Sequence, residues 1–132
     1  MLKVIKSLEI SGKNCLPIIE GGKGIGITNG VTAGHFAKAN AVGTFSGVNA
    51  DYIDENGPFI PLVYKTHTRR EKHEELIEYS IKGGISQAKI AHDIASGNGR
   101  IHMNVLWEMG GAEKVLTGIL DGAKDLIHGI TC

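Results

Sequence analysis

The stretch Arg100–Glu108, RIHMNVLWE, alternates in character along an extended chain. Ile101, Met103, Val105 and Trp107 fall on one side, and His102, Asn104 and Leu106 on the other, because successive side chains of a strand point to opposite faces. The first set suits a surface beneath helices. The second turns polar groups towards whatever the strands enclose. An open parallel sheet covered on both sides shows a near-continuous apolar run, whereas a sheet curved into a barrel keeps an inner face lined by side chains. This stretch therefore predicts one strand of a curved parallel sheet.

Outward from it, three more short runs read as buried strands: CLPIIE at 15–20, VGTFSGV at 42–48 and DLIHGIT at 125–131. Helical patterns separate them. VTAGHFAKAN at 31–40 is short, with Thr32 as its expected N-cap. The segment from Thr68 to Ala95 spaces Ile77, Ile81, Ile85, Ala88, His92 and Ala95 by three or four residues, which is one helical face. Gly83 and Gly84 are expected to bend or split it, since a glycine costs about 1 kcal/mol in a helix interior. GAEKVLTGILDGA at 111–123 repeats the pattern with Val115, Leu116, Ile119, Leu120 and Ala123. Strand and helix alternate, so the fold class is α/β, with parallel strands joined by right-handed crossovers.

The chain has 132 residues, enough for one domain spanning 1–132 and too few for two. Fourteen basic and fourteen acidic side chains cancel, which argues against an electrostatic binder of nucleic acid or anionic membrane. A small-molecule substrate or a protein is the expected partner. Cys15 and Cys132 have no zinc-type spacing, and the opening MLKVIKSLEISGK interrupts its apolar residues with charge. A cytoplasmic protein without a membrane span is expected.

LPIIEGGKGIGITNG, residues 16–30, places five glycines and a lysine among its last ten residues. The dinucleotide pattern Gly-x-Gly-x-x-Gly fails, since Gly22 and Gly24 are followed by Ile27 and a start at Gly24 ends on Asn29. A Walker A loop fails because Lys23 lies between Gly22 and Gly24. What remains is a strand, a glycine-rich turn and a helix entry, with backbone open to close approach. Other motifs fail too: HEEL at 73–76 is not HExxH, and Ser46 in GTFSGV is not in a Gly-x-Ser-x-Gly elbow. Glu20 and His102 or His128 form a second candidate set at the sheet mouth, although a lone strand histidine is more often a hydrogen-bonded structural group. THTRREKHEEL at 66–76 reads as a solvated helix start with Arg70 and Glu74 one turn apart, and 49–65 as a working loop.

Taken in order, PIIEGGKGIGITNG, AVGTFSGVNAD (41–51), RIHMNVLWE and LIHGITC resemble the opening βα units of the nitronate monooxygenase family, also called 2-nitropropane dioxygenases. The resemblance covers nearly the whole chain from residue 16. It implies an FMN-dependent TIM barrel, of which this chain is the first half with about four strands. It also implies that Gly21, Gly22 and Lys23 approach the flavin ring with backbone, that Asn49 ends the second strand near the flavin, that Asn104 faces it from the third, and that Thr131 lies in the floor of the site. Many members carry Gln and Met where this chain has Glu20 and Lys23.

The family's catalytic histidine, in an Ala-Gly-Gly-His stretch, and its FMN-phosphate loops belong to the second half of the barrel, and neither motif occurs here. The resemblance thus implies an oxidoreductase of alkyl nitronates represented by its amino-terminal part. The alternative is a non-catalytic remnant or half-barrel module. Either reading leaves an inner face to be covered, with Ile18 or Ile19, Phe45 or Val48, and Leu106 partly exposed, so self-association or a complementary carboxyl-terminal half is expected.

Overall fold

The computed structural model of the chain describes residues 4–132. Its main sheet has three parallel strands, β3 (Val42–Ser46), β6 (Arg100–Asn104) and β7 (Gly129–Thr131), in the order β3-β6-β7. Helix α1 (Gly30–Lys38) precedes β3, α2 (Arg69–Ala95) connects β3 to β6, and α3 (Ala112–Ala123) connects β6 to β7. The α/β class with parallel crossovers is therefore present. All three helices cover one face, where Phe45, Ile101 and Met103 share a core with Ala33 of α1, Ala88 of α2 and Ile119 of α3.

The first expected strand, 15–20, is replaced by two different structures. Residues Leu8–Ile10 (β1) and Lys13–Cys15 (β2) form an antiparallel hairpin, with Ser11 and Gly12 at φ 48° and 76° in the turn. Positive φ at both central residues is the type I′ geometry that matches strand twist. Pro17, which has no N–H, then breaks the run, and only one parallel bridge, Ile19 to Val42, joins it to the main sheet. Three strands and a bridge stand where about four strands were expected.

Helix α1 begins one turn earlier than its expected cap. Asn29 Oδ1 accepts the N–H groups of Val31 and Thr32 at 3.0 and 3.1 Å, and Thr32 Oγ1 accepts the Asn29 N–H at 3.2 Å. Thr32 is thus the far side of the capping box rather than the cap. Thr68 and Glu71 close a second box at the start of α2. That helix runs unbroken for 27 residues.

Gly83 and Gly84 do not split α2; they let neighbours in. A Cβ on Gly83 would run into the Ala50 carbonyl, and one on Gly84 into the Ile119 side chain. Ile81 and Ile85 of α2 sit reciprocally on Gly118 and Gly122 of α3. The two helices interlock isoleucine on glycine, which brings their axes close. Outside this seam Lys114 bonds Glu74 at 3.1 Å, so Glu74 pairs across to α3 and not with Arg70.

The 49–65 segment contains a second hairpin, β4 (Tyr52–Ile53) with β5 (Phe59–Ile60). It is fastened to α2: Ser86 Oγ donates to the Ile53 carbonyl at 2.8 Å, and buried Gln87 donates to the Asp51 carbonyl at 2.6 Å while accepting the Gly30 N–H at 2.7 Å. Phe45 and Val48 are fully covered, contrary to the expected exposure, whereas Ile18, Ile19 and Leu106 are exposed. Trp107 also leaves its expected apolar face, because the strand ends at Asn104 and the chain turns. No helix among the described residues is long and apolar enough to cross a membrane.

Candidate functional site

The face of the sheet away from the helices carries Thr44 and Ser46 on β3, His102 and Asn104 on β6, and Thr131 on β7, in register as Thr44–His102, Ser46–Asn104 and Asn104–Thr131. Ligands of parallel α/β sheets bind beyond the carboxyl ends of the strands, and at that end the polar row finishes with Ser46, Asn104 and Thr131. Asn104 Nδ2 lies 3.4 Å from Thr131 Oγ1. Ser46 Oγ turns into its own loop, accepting the Val48 N–H at 3.2 Å.

The glycine-rich loop folds over this end. Glu20 N–H donates to the Val42 carbonyl at 2.8 Å, after which the chain leaves β3 and Gly22 comes to lie on Asn104. A Cβ on Gly22 would stand 2.8 Å from Asn104 Cγ and 3.1 Å from Thr44 Cγ2. Gly21 differs: a Cβ there would meet nothing within 4 Å. The loop then closes on itself, with Lys23 N–H donating to Thr28 Oγ1 at 3.1 Å and Thr28 N–H to the Lys23 carbonyl at 3.3 Å.

Of the residues expected in the site, Gly22, Asn104 and Thr131 are brought together, with Gly21 and Lys23 alongside in the chain. The Lys23 side chain is exposed and, among the described residues, in no ion pair, so it forms no charged pair with Glu20. Asn49, at φ 47°, reaches the loop only through its carbonyl beside Gly26, while its Oδ1 accepts a hydrogen bond from Ser80 of α2 at 3.3 Å. Its side chain is occupied away from Asn104.

Glu20 has a structural task. Its Oε2 accepts the buried Thr44 N–H at 2.9 Å, taking the place of a strand neighbour where the chain has peeled away. The histidines do not join it. His102 Nε2 is 3.0 Å from Ser11 Oγ in the β1–β2 turn, and His128 Nδ1 accepts the Ile101 N–H at 3.0 Å. Burial and the nearby Arg100 guanidinium hold both imidazoles below their ordinary pKa. Thr44 Oγ1 and His102 Nδ1, neighbours in register, are buried without a hydrogen-bond partner among the described residues.

Sequence reasoning missed Thr44 and Ser46. The signal was present in VGTFS, where the two hydroxyls alternate with Gly43 and Phe45 as polar residues do in RIHMN. A groove of about 760 Å³ lies elsewhere, between the β4–β5 hairpin and α2, lined by residues including Tyr52, Asp54, Lys82 and Asp93. None of the expected site residues borders it, and its Lys89 and Glu55 neutralise each other at 3.1 Å.

The fit to a flavin is one-sided. The open backbone at Gly21 and the amide and hydroxyl of Asn104 and Thr131 suit the rim of a neutral heterocycle, which takes hydrogen bonds and flat contact. No protein-family model and no curated protein matches the chain.

Proposed function

We propose that this chain supplies the ring-binding side of an FMN-dependent oxidoreductase of the nitronate monooxygenase type, acting on alkyl nitronates, and that its βα units are the opening half of a TIM-like barrel. The observation that carries the reading is the meeting of Gly22, Asn104 and Thr131 at the carboxyl end of the sheet, beside open backbone at Gly21. Strand order supports it too, since the 18–20 segment, β3, β6 and β7 lie side by side in chain order, as in a barrel.

A bound flavin supplies the redox chemistry. This chain's part is to orient it: Gly21 leaves space for a planar ring, Asn104 offers an amide to the ring edge, and Glu20 holds β3 in place through Thr44. A proton-transferring histidine and a phosphate site fall, on this reading, to a complementary carboxyl-terminal half.

Fluorescence titration of riboflavin and FMN with the purified chain tests the proposal. Saturable quenching that is equal for the two ligands is expected, because this half contributes to the ring and not to the phosphate. Gly21→Val and Asn104→Ala should both weaken it while helix content stays unchanged. Absence of saturable quenching in the wild-type chain refutes ring binding.

The packing of Gly22 supports a second reading, in which the chain is a non-catalytic half-barrel module that pairs with itself or with a separate half. Its glycine is explained by the chain's own Asn104 and Thr44, with no ligand required.

A further inference from the structure

The two edges of the main sheet are treated differently. Along the outer side of β3 every N–H has a partner: Val42 N–H donates to the Ile18 carbonyl at 2.9 Å, Thr44 N–H to Glu20 Oε2 at 2.9 Å and Ser46 N–H to the Thr28 carbonyl at 2.9 Å, and the Val48 carbonyl accepts the Gly26 N–H at 3.1 Å. Even where no strand lies alongside, a carboxylate is spent to close the gap. β7, at the other end of the order β3-β6-β7, has no strand beyond it among the described residues.

Val105 N–H donates to the Thr131 carbonyl at 2.8 Å, so Thr131 faces β6. By strand alternation the N–H and C=O of Ile130 point the other way, to the open edge. Natural edges are protected by charge, proline or a covering element. LIHGITC, 126–132, contains no Asp, Glu, Lys, Arg or Pro. Ile130 is itself 42% exposed, and Leu106 and Trp107, which follow Val105 beside the end of β7, are 51% and 58% exposed.

We propose that β7 is an association edge on which a second copy of this chain adds its own β7, antiparallel and centred on Ile130. Ile130 presents one donor and one acceptor side by side. About a two-fold axis it gives and receives one hydrogen bond with its counterpart, so the edge is complementary to itself. The chain's formal net charge of zero removes the repulsion that keeps like-charged copies apart. The inference rests on the second reading above, in which the chain pairs with itself, and is independent of flavin.

Cysteine capture in the full-length chain tests the register. In a hydrogen-bonded antiparallel pair the two Cα atoms lie about 5.5 Å apart, within disulfide reach. In a Cys132→Ser background, with Cys15 buried, Ile130→Cys should form a disulfide-linked dimer about tenfold or more faster than Leu106→Cys, although Leu106 is the more exposed of the two. Light scattering of the wild type should show a mass rising with concentration towards twice 14.1 kDa, and Ile130→Lys, with unchanged circular dichroism, should remain at 14.1 kDa. A wild-type chain that stays monomeric, a lysine variant that still dimerises, or equal crosslinking at the two cysteines overturns the proposal. Flavin fluorescence is read separately, so loss of one reading is distinguishable from loss of the other.

Discussion

Gly22 lies directly against the Asn104 side chain, so that the glycine-rich loop and the polar face of β6 are in contact. Substituting Gly22 must therefore move Asn104 and Thr44 whatever else the loop does. Gly22→Val is expected to destabilise the chain by about 1–3 kcal/mol through overpacking. Asn104→Gly, which removes the side-chain atoms a Cβ at Gly22 meets first, should recover part of that loss, giving a coupling of about 0.5–3 kcal/mol in a double-mutant cycle read by urea unfolding. Strict additivity would place the two residues apart.

Glu20 allows a sharper comparison. Glu20→Gln keeps an oxygen for the Thr44 N–H and should change stability little. Glu20→Ala leaves a buried donor unpaired and should cost about 1–3 kcal/mol. Hydrogen exchange at the Thr44 amide reports the same event locally: fast in the alanine variant, slow in the glutamine variant. Equal exchange in both would remove the carboxylate from the edge of β3.

His102 and His128 set a pH dependence. Burial, and then the Arg100 charge, lower both imidazoles from the ordinary value of 6.5. Between the lowered and the ordinary value the unfolded chain binds protons that the folded chain does not, so stability rises with pH there. The contribution is complete above about 6.5 and is lost as pH falls below it through the folded values. His128 adds a geometric reason, since Nδ1 can accept the Ile101 N–H only when it carries no proton. Urea midpoints from pH 7.5 down to 5.5 should fall, and the fall should be shallower in His102→Gln. A flat profile in the wild type would contradict this.

The isoleucine-on-glycine seam predicts unequal costs for two adjacent substitutions. Gly84→Ala meets the Ile119 side chain, which can be trimmed, so Ile119→Val should offset much of the damage. Gly83→Ala meets the Ala50 carbonyl, a backbone group that cannot be trimmed. It should cost more than the usual helix preference for alanine over glycine, about 1 kcal/mol, returns. Thermal unfolding of the two single variants and the Gly84→Ala, Ile119→Val pair separates the cases. Full rescue of Gly83→Ala by Ile119→Val would show that the seam is misassigned.

Local, repeated signals were legible in the residues alone. The three-and-four spacing from Ile77 to Ala95 yields α2 almost to the residue, and the alternation in RIHMN separates Ile101 and Met103 in the core from His102 and Asn104 on the polar face. Periodicity survives because the helical turn and the pleat impose it on any chain that buries one side. Features that depend on contacts between distant segments became visible only in the folded chain. Both hairpins escaped notice because strands of two or three residues are too short to display a period. The first expected strand gave way to a single bridge, since Pro17 removes a donor and the Ser11–Gly12 turn recruits residues 13–15 into a hairpin. At the candidate site, Asn104 could be placed on the inner face from its neighbours. That Gly22 would rest on it, that Glu20 would fill the edge beside Thr44 and that Asn49 would turn to Ser80 follow from how the loop returns across the sheet. A glycine in sequence looks the same whether it makes room for a turn, a ligand or a neighbouring isoleucine; only the packed neighbour distinguishes them.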